Sequence, residues 1–440
     1  MVAVASPRIV RRLALLLVVS TFCPALYGGF KPQQHIIVQS ETNGPTSVYA
    51  ADLDGDGDLD VLSASWDDDK IAWYANDGTG QFGPQQVITT AADSASCVYA
   101  ADLDADGDLD VLSASCDDNK IAWYANDGTG QFGPQQVITT AADGANCVYA
   151  ADLDGDGDLD VLSASSFYWE WGDGYIDDKI AWYANDGTGH FGPQQVITTE
   201  AHSANCVYAA DLDGDGDLDV LSASQEDDKI AWYANDDSGQ FGSQQVVSTS
   251  PANGADSVRA ADLDGDGDTD VLSASQWDNK IAWYANDGTG HFGSQQVITT
   301  EADGASCVYV ADLDGDGDLD VLSASFGDDK IAWYANDGRG QFGPQQVITT
   351  EADGAKSVYA ADLDGDGDLD VLSASLGPYY DYKLGGFVDS KIAWYANDGR
   401  GQFGPMQAIS TKGMWVTSVY AADLDGDGDL DVLSAFAGSY

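Results

Sequence analysis

Basic residues are scarce in this chain. Seventeen lysines and arginines face 74 aspartates and glutamates over 440 residues, a formal net charge of −57. Nucleic acid is therefore excluded as a partner, because phosphate binding needs a basic face. Histidine is rarer still, with only His35, His190, His202 and His291. No zinc-type His pair, phosphate-binding loop or nucleophile elbow is present, so no catalytic residue is assigned and the chain does not read as an enzyme. His190 and His291 hold one position in two repeats where others carry Gln, which reads as solvent-facing variation. No segment has a helical period. There is no Asn-X-Ser/Thr acceptor, so no N-glycan is expected. Acidity alone could mean disorder. With 44% hydrophobic and 10% aromatic residues in strand-like alternation, the chain is expected to fold.

Long apolar runs are confined to the N-terminus. Arg8, Arg11 and Arg12 precede Leu13–Val19, and small residues follow up to Gly28. This is the layout of a secretory signal over residues 1–28, with cleavage after Ala25 or Gly28. A retained signal anchor is the alternative, but Pro24 and Gly28-Gly29 interrupt a stretch already short for a span. Bulky Phe22 argues against a lipoprotein site at Cys23. The expectation is a secreted, extracellular protein with no membrane span after cleavage, and a monomer.

What the chain does have is an acidic loop, eight times over. Asp52, Asp54, Asp56, Asp58 and Asp60 alternate with Leu and Gly. The run returns as Asp102, Asp104, Asp106, Asp108 and Asp110, then as Asp152, Asp154, Asp156, Asp158 and Asp160. The fourth copy is Asp211, Asp213, Asp215, Asp217 and Asp219, and the fifth is Asp262, Asp264, Asp266, Asp268 and Asp270. Asp312, Asp314, Asp316, Asp318 and Asp320 make the sixth; Asp362, Asp364, Asp366, Asp368 and Asp370 the seventh. Asp423, Asp425, Asp427, Asp429 and Asp431 complete the set. Five carboxylates in nine residues repel strongly unless a cation holds them, and hard oxygen donors at alternate positions suit Ca2+. In the first copy, Asp52, Asp54 and Asp56 are expected to point to one centre, Asp58 to offer its backbone carbonyl, and Asp60 to close the cage. Position twelve is Ser63, inside a strand, which rules out an EF-hand. Ala105 replaces a Gly that supplies no ligand, so the second site is expected to survive, and Thr269 replaces a strand-side Leu. The ion is expected to be structural, about one per loop and up to eight.

The loops recur at intervals of 50, 50, 59, 51, 50, 50 and 61 residues. That period denotes a propeller, solenoid or array. One unit reads as four short strands: Ser47–Asp52, Asp60–Ser65, Lys70–Ala75 and Phe82–Thr90, with an Asn76-Asp-Gly turn before the last. Both faces are apolar, with Ile71 and Trp73 on one side and Ala72 and Tyr74 on the other, as in a sheet buried on both sides. Trp73 and its counterparts are expected in the core between blades.

The acidic loop, its flanking strands and Phe82-Gly83 resemble the FG-GAP/VCBS repeat family, the calcium-binding blades of integrin α heads. The resemblance spans roughly residues 34 to 440. It implies an all-β propeller of four-stranded antiparallel blades, one calcium per loop, an extracellular location, and adhesion or ligand binding. It implies no reaction. Seven complete units are followed by Ser418–Phe436, which supplies only the first two strands of another. Eight blades are favoured, with His35–Gln39 lending a strand at the closure; seven is the alternative.

Cysteines are few, and without Cys23 their number is odd. Cys97, Cys147, Cys206 and Cys307 share a position that is Ser in other repeats, consistent with a small buried side chain. Cys116 ends the strand opposite the one Cys97 begins, so a Cys97–Cys116 disulfide is possible.

Length variation falls between the second and third strands. The third unit gains nine residues within Ser166–Ile176, and the seventh gains eleven within Leu376–Phe387. Tyr168, Trp169, Trp171, Tyr379 and Tyr380 in these inserts are the candidate ligand contacts, for an extracellular glycan or protein; packing as small satellite cores is the competing reading. The functional expectation is a ligand-binding or adhesion module. The alternatives are a structural matrix or surface protein and a propeller enzyme acting on polysaccharide.

Overall fold

The structure is a computed structural model describing residues 45–436, apart from 79–80, 167–177, 237, 249–251, 377–379, 382–385, 388–390, 411–415 and 425–429. The expected signal segment and the strand expected at His35–Gln39 lie outside the described residues. No helix among the described residues is long and apolar enough to cross a membrane.

The first unit sets the pattern. Strands β1 (Pro45–Ala51), β2 (Asp60–Ser65), β3 (Lys70–Tyr74) and β4 (Gln86–Thr89) pair antiparallel in sequence order. β4 starts later than its sequence suggests. Phe82 first pairs with Asn76 in an isolated bridge, and the Gly83 N–H donates to the Ala75 carbonyl at 2.8 Å. These contacts close the hairpin before the outer strand begins. Six more four-stranded sheets follow, and the eighth unit has two described strands, Val416–Ala422 and Asp431–Phe436. In the seventh blade, the insert carries a short hairpin pairing Tyr380 with Phe387.

Alternation within each strand builds the interior. Every residue of β2 is buried, because both sheet faces are covered. Leu62, Ile71 and Trp73 pack against Val98, Val111 and Tyr124 of the next blade. Trp73 meets that blade's Phe132 edge-on, with ring centroids 6.2 Å apart. The opposite face carries Tyr74, which is fully buried with Val61 and with Leu433 of the eighth unit.

One polar contact is repeated at seven of the eight seams. Asn126 donates from Nδ2 to the Leu53 carbonyl of the preceding blade at 2.7 Å, and Asn185 does the same to Leu103. Asn76 of the first blade donates to the Leu424 carbonyl of the eighth unit. The first and eighth units therefore meet through the contact that joins neighbours elsewhere, and the described units form a ring of eight.

The first strands form the inner edge of this ring, lining a central channel. Successive tyrosines stack around it: Tyr49 lies 5.1 Å from Tyr99, Tyr99 lies 5.4 Å from Tyr149, and Tyr309 lies 5.1 Å from Tyr359. The serine or cysteine two residues earlier touches the next blade's backbone. Ser47 Oγ accepts from Val98 N–H at 3.3 Å, and Cys97 Sγ lies 4.0 Å from the Val148 carbonyl. Cys97 therefore faces away from Cys116. Its cross-strand partner is Ala114, and the two cysteines are free thiols, not the disulfide that spacing allowed.

Candidate metal sites

Each acidic loop joins the first strand of a blade to the second, so all of them emerge on one face of the ring. The loop is folded by its own carboxylates. In the first blade Asp52 accepts from Gly55 N–H at 2.8 Å through Oδ1 and from Gly57 N–H at 3.1 Å through Oδ2. Asp56 accepts from Asp58 N–H at 3.0 Å. Gly55 holds a positive φ of 73°, and a Cβ there would approach the Gly128 carbonyl of the next blade to 2.9 Å. In the second blade Ala105 takes this position with φ 59°. Asp102 Oδ1 is left without a hydrogen bond there, yet the cluster persists.

The carboxylates converge as alternate spacing demands. Oxygens of Asp52, Asp54 and Asp56 lie within 4.8 Å of one another. In the next four blades the convergent trios are Asp102, Asp104 and Asp110; Asp152, Asp154 and Asp160; Asp211, Asp213 and Asp219; and Asp262, Asp264 and Asp270. In the first blade, then, it is the three leading carboxylates that gather; in the next four the fifth joins the first two. In the eighth unit, Asp425, Asp427 and Asp429 lie outside the described residues.

Asp58 stands apart. Its carboxylate lies against Gly78 in the third-to-fourth-strand hairpin of its own blade, and Asp108 lies against Gly128 in the same way. Its side chain is thus directed away from the cluster, which leaves its carbonyl as the group it can offer.

Asp60 anchors the loop to the blade. It is fully buried, and its two oxygens accept from Leu53 N–H and Asn76 N–H, each at 2.8 Å. Burial pushes its carboxyl up to about 6, against the two backbone hydrogen bonds that favour the charge. Asp110 and Asp160 are pushed up to about 7 for the same reason. Asn76 completes a relay from loop to seam, because its Nδ2 also reaches Leu59 and the preceding unit. Sequence reasoning missed this asparagine. It recurs in seven blades, but an Asn-Asp-Gly string reads as turn chemistry and hides a buried role.

Whether a cation fits can be judged from these atoms. Oδ1 of Asp54, Asp104, Asp154, Asp264 and Asp314 is buried with no hydrogen-bond partner. Buried carboxylate oxygens without donors are costly and call for a positive partner. Burial, followed by the nearby Asp56 charge, pushes the Asp54 carboxyl above its usual range. An all-oxygen donor set of this kind suits Ca2+.

A model of the FG-GAP-like repeat matches residues 52–113, 102–163, 168–222, 211–273, 262–323, 312–373 and 384–434. The chain belongs to the FG-GAP-like repeat family. Repeats of this family commonly bind calcium and are typical of extracellular proteins, and each match in this FG-GAP-like chain takes in at least one acidic loop, in whole or in part. The fold is shared with a lectin from Agrocybe aegerita, described as specifically recognising non-reducing terminal N-acetylglucosamine. That similarity is 22% identity over 70% of this chain and 81% of the lectin, with a TM-score of 0.51. A protein from Lactobacillus plantarum is similar at 21% identity over 70% of this chain and 85% of that one, with a TM-score of 0.48. A rhamnogalacturonan lyase from Bacillus licheniformis is similar at 12% identity over 87% and 74%, also with a TM-score of 0.48. No curated protein matches the chain.

The remaining site expectations fall elsewhere. Tyr168, Trp169, Trp171 and Tyr379 lie outside the described residues, and Tyr380 is described only as part of the short insert hairpin. His190 and His291 sit on the outer hairpins with side chains 82% exposed, as solvent-facing positions should.

Proposed function

We propose that this chain is a secreted propeller whose acidic loops hold structural Ca2+ and whose inserted connections bind an extracellular glycan or protein. The observation that carries the metal half is the set of buried, donorless oxygens at Asp54 and its counterparts. A cation bound only by the folded ring adds its binding free energy to stability. The ligand half rests on where the blades differ. Their strands repeat nearly unchanged, while the third and seventh gain aromatic inserts between their second and third strands. These blades stand across the ring from each other, so one long ligand could touch both.

Two measurements test the reading. Melting with calcium and with chelator should show a fall on the order of 10 °C on chelation; an unchanged midpoint removes the metal from the account. Immobilised glycans and matrix proteins should retain the calcium-loaded chain, and Trp169→Ala with Trp171→Ala, or Tyr379→Ala with Tyr380→Ala, should weaken that retention. Unchanged affinity in both double variants, with the fold intact by circular dichroism, removes the inserts. Retention on no surface leaves the structural matrix role.

A further inference from the structure

The channel collar contains one break in its chemistry. Seven units place tyrosine at the stacked position: Tyr49, Tyr99, Tyr149, Tyr208, Tyr309, Tyr359 and Tyr420. The fifth places Arg259 there. Its backbone is ordinary for the position, with Arg259 opposite Leu272 as Tyr49 is opposite Leu62. The side chain is half-buried, and one guanidinium nitrogen donates to the Val258 carbonyl at 2.8 Å. Around it stand Tyr208, Tyr309, Cys206 and Cys307. Among the described residues no carboxylate pairs with it. Of the two acids three residues away, Asp256 is engaged by Lys356 of the seventh blade at 3.0 Å, and Asp262 opens the acidic loop and accepts from Gly265 and Gly267 N–H. In a chain with 74 acidic residues, this cation is held where no described carboxylate pairs with it.

We propose that Arg259 and the flanking tyrosines form an anion site in the channel, specific for a small carboxylate ligand with a flat or apolar body. A guanidinium presents a planar fork that matches a carboxylate bidentately, which a lone ammonium does not. One donor is spent on Val258, and a guanidinium has five, so the fork remains available. Phenol rings on both sides offer aromatic surface to the body of the ligand. The acidic loops at one mouth lower the local anion concentration while their charge is unscreened, so occupancy should rise once those loops are loaded with Ca2+. The site is separate from the inserts of the third and seventh blades and does not rest on their role.

The test uses the full chain in calcium, with 4-fluorobenzoate observed by ¹⁹F NMR and titration calorimetry, and glucuronate and sulfate as competitors. Arg259→Tyr is the decisive variant, because it installs the residue that the other seven units carry at this position and so preserves the fold. The expected result is one 4-fluorobenzoate per chain, displaced by glucuronate more readily than by sulfate. Binding should weaken about tenfold or more in Arg259→Tyr and by less in Arg259→Lys. Equal binding by the native chain and Arg259→Tyr overturns the proposal. So does the absence of millimolar binding of either carboxylate, and so does sulfate binding as tightly as 4-fluorobenzoate, which would make the site a general anion hole.

Discussion

At the scale of single residues, the acidic loop divides its labour. In the second to fifth blades the first two aspartates and the fifth gather where a cation would sit, and the fifth, Asp160 in the third blade, is buried and also holds two backbone N–H groups. The buried carboxyls have a consequence for pH. Asp160 moves from 3.8 to about 7 on folding, chiefly through burial. Its folded value lies above its unfolded one, so the stability it contributes is fully present below 3.8 and is lost as pH rises through about 7. Seven blades carry this residue, and the contributions share one sign. In chelator, the melting temperature should therefore climb as pH falls from about 8 to about 5. With calcium the trend should reverse, because protons then compete with the ion for the same oxygens. A pair of melting series across this range checks it; parallel trends in the two series would contradict the account. The convergence of carboxylates was legible in the alternating Asp pattern. Which of the five converge was not, because Asp58 and Asp60 are positioned by the hairpin and by burial, and neither is written into the loop itself.

At the scale of elements, each blade is fitted to the next by a tryptophan and a glycine. A Cβ at Gly130 would lie 2.2 Å from Trp73 of the preceding blade, and its φ is 70°. Two costs combine in Gly130→Ala: the left-handed backbone and displacement of a ring 2% exposed. The variant should lose roughly 2–4 kcal/mol in urea unfolding with calcium present. A loss within ordinary surface range would mean that the ring yields freely. Strand number, order and the burial of Trp73 could all be read from period-two alternation. The end of β3 and the late start of β4 could not. There the Gly83-to-Ala75 hydrogen bond and the Asn76–Phe82 bridge decide, and both depend on hairpin geometry that the string Asn-Asp-Gly-Thr-Gly leaves open. The proposed Cys97–Cys116 bridge failed for a related reason, since a bulge near Ala95 shifts the register at the strand's start.

At the scale of the whole molecule, the ring is only as sound as its closing seam. At this seam Val61 and Tyr74 of the first blade are buried with Leu433 of the eighth unit. Asn76→Ala removes a polar bond at the closing seam, and Asn235→Ala removes its equivalent inside the continuous ring. Each should cost about 1–3 kcal/mol. Only Asn76→Ala should also speed amide hydrogen exchange in Val416–Ala422 and Asp431–Phe436, as local opening at the seam precedes global unfolding. Equal protection in the two variants would show that closure is not the weak point. The same asparagine also orders events in time. Asn126 needs the carbonyl of Leu53, and Asn185 that of Leu103, and each acceptor is synthesised before its donor. A nascent chain can therefore dock every new blade onto one already made. Asn76 is the exception, because Leu424 is made 348 residues after it. The first blade must therefore wait for the eighth unit to be made before this contact can form.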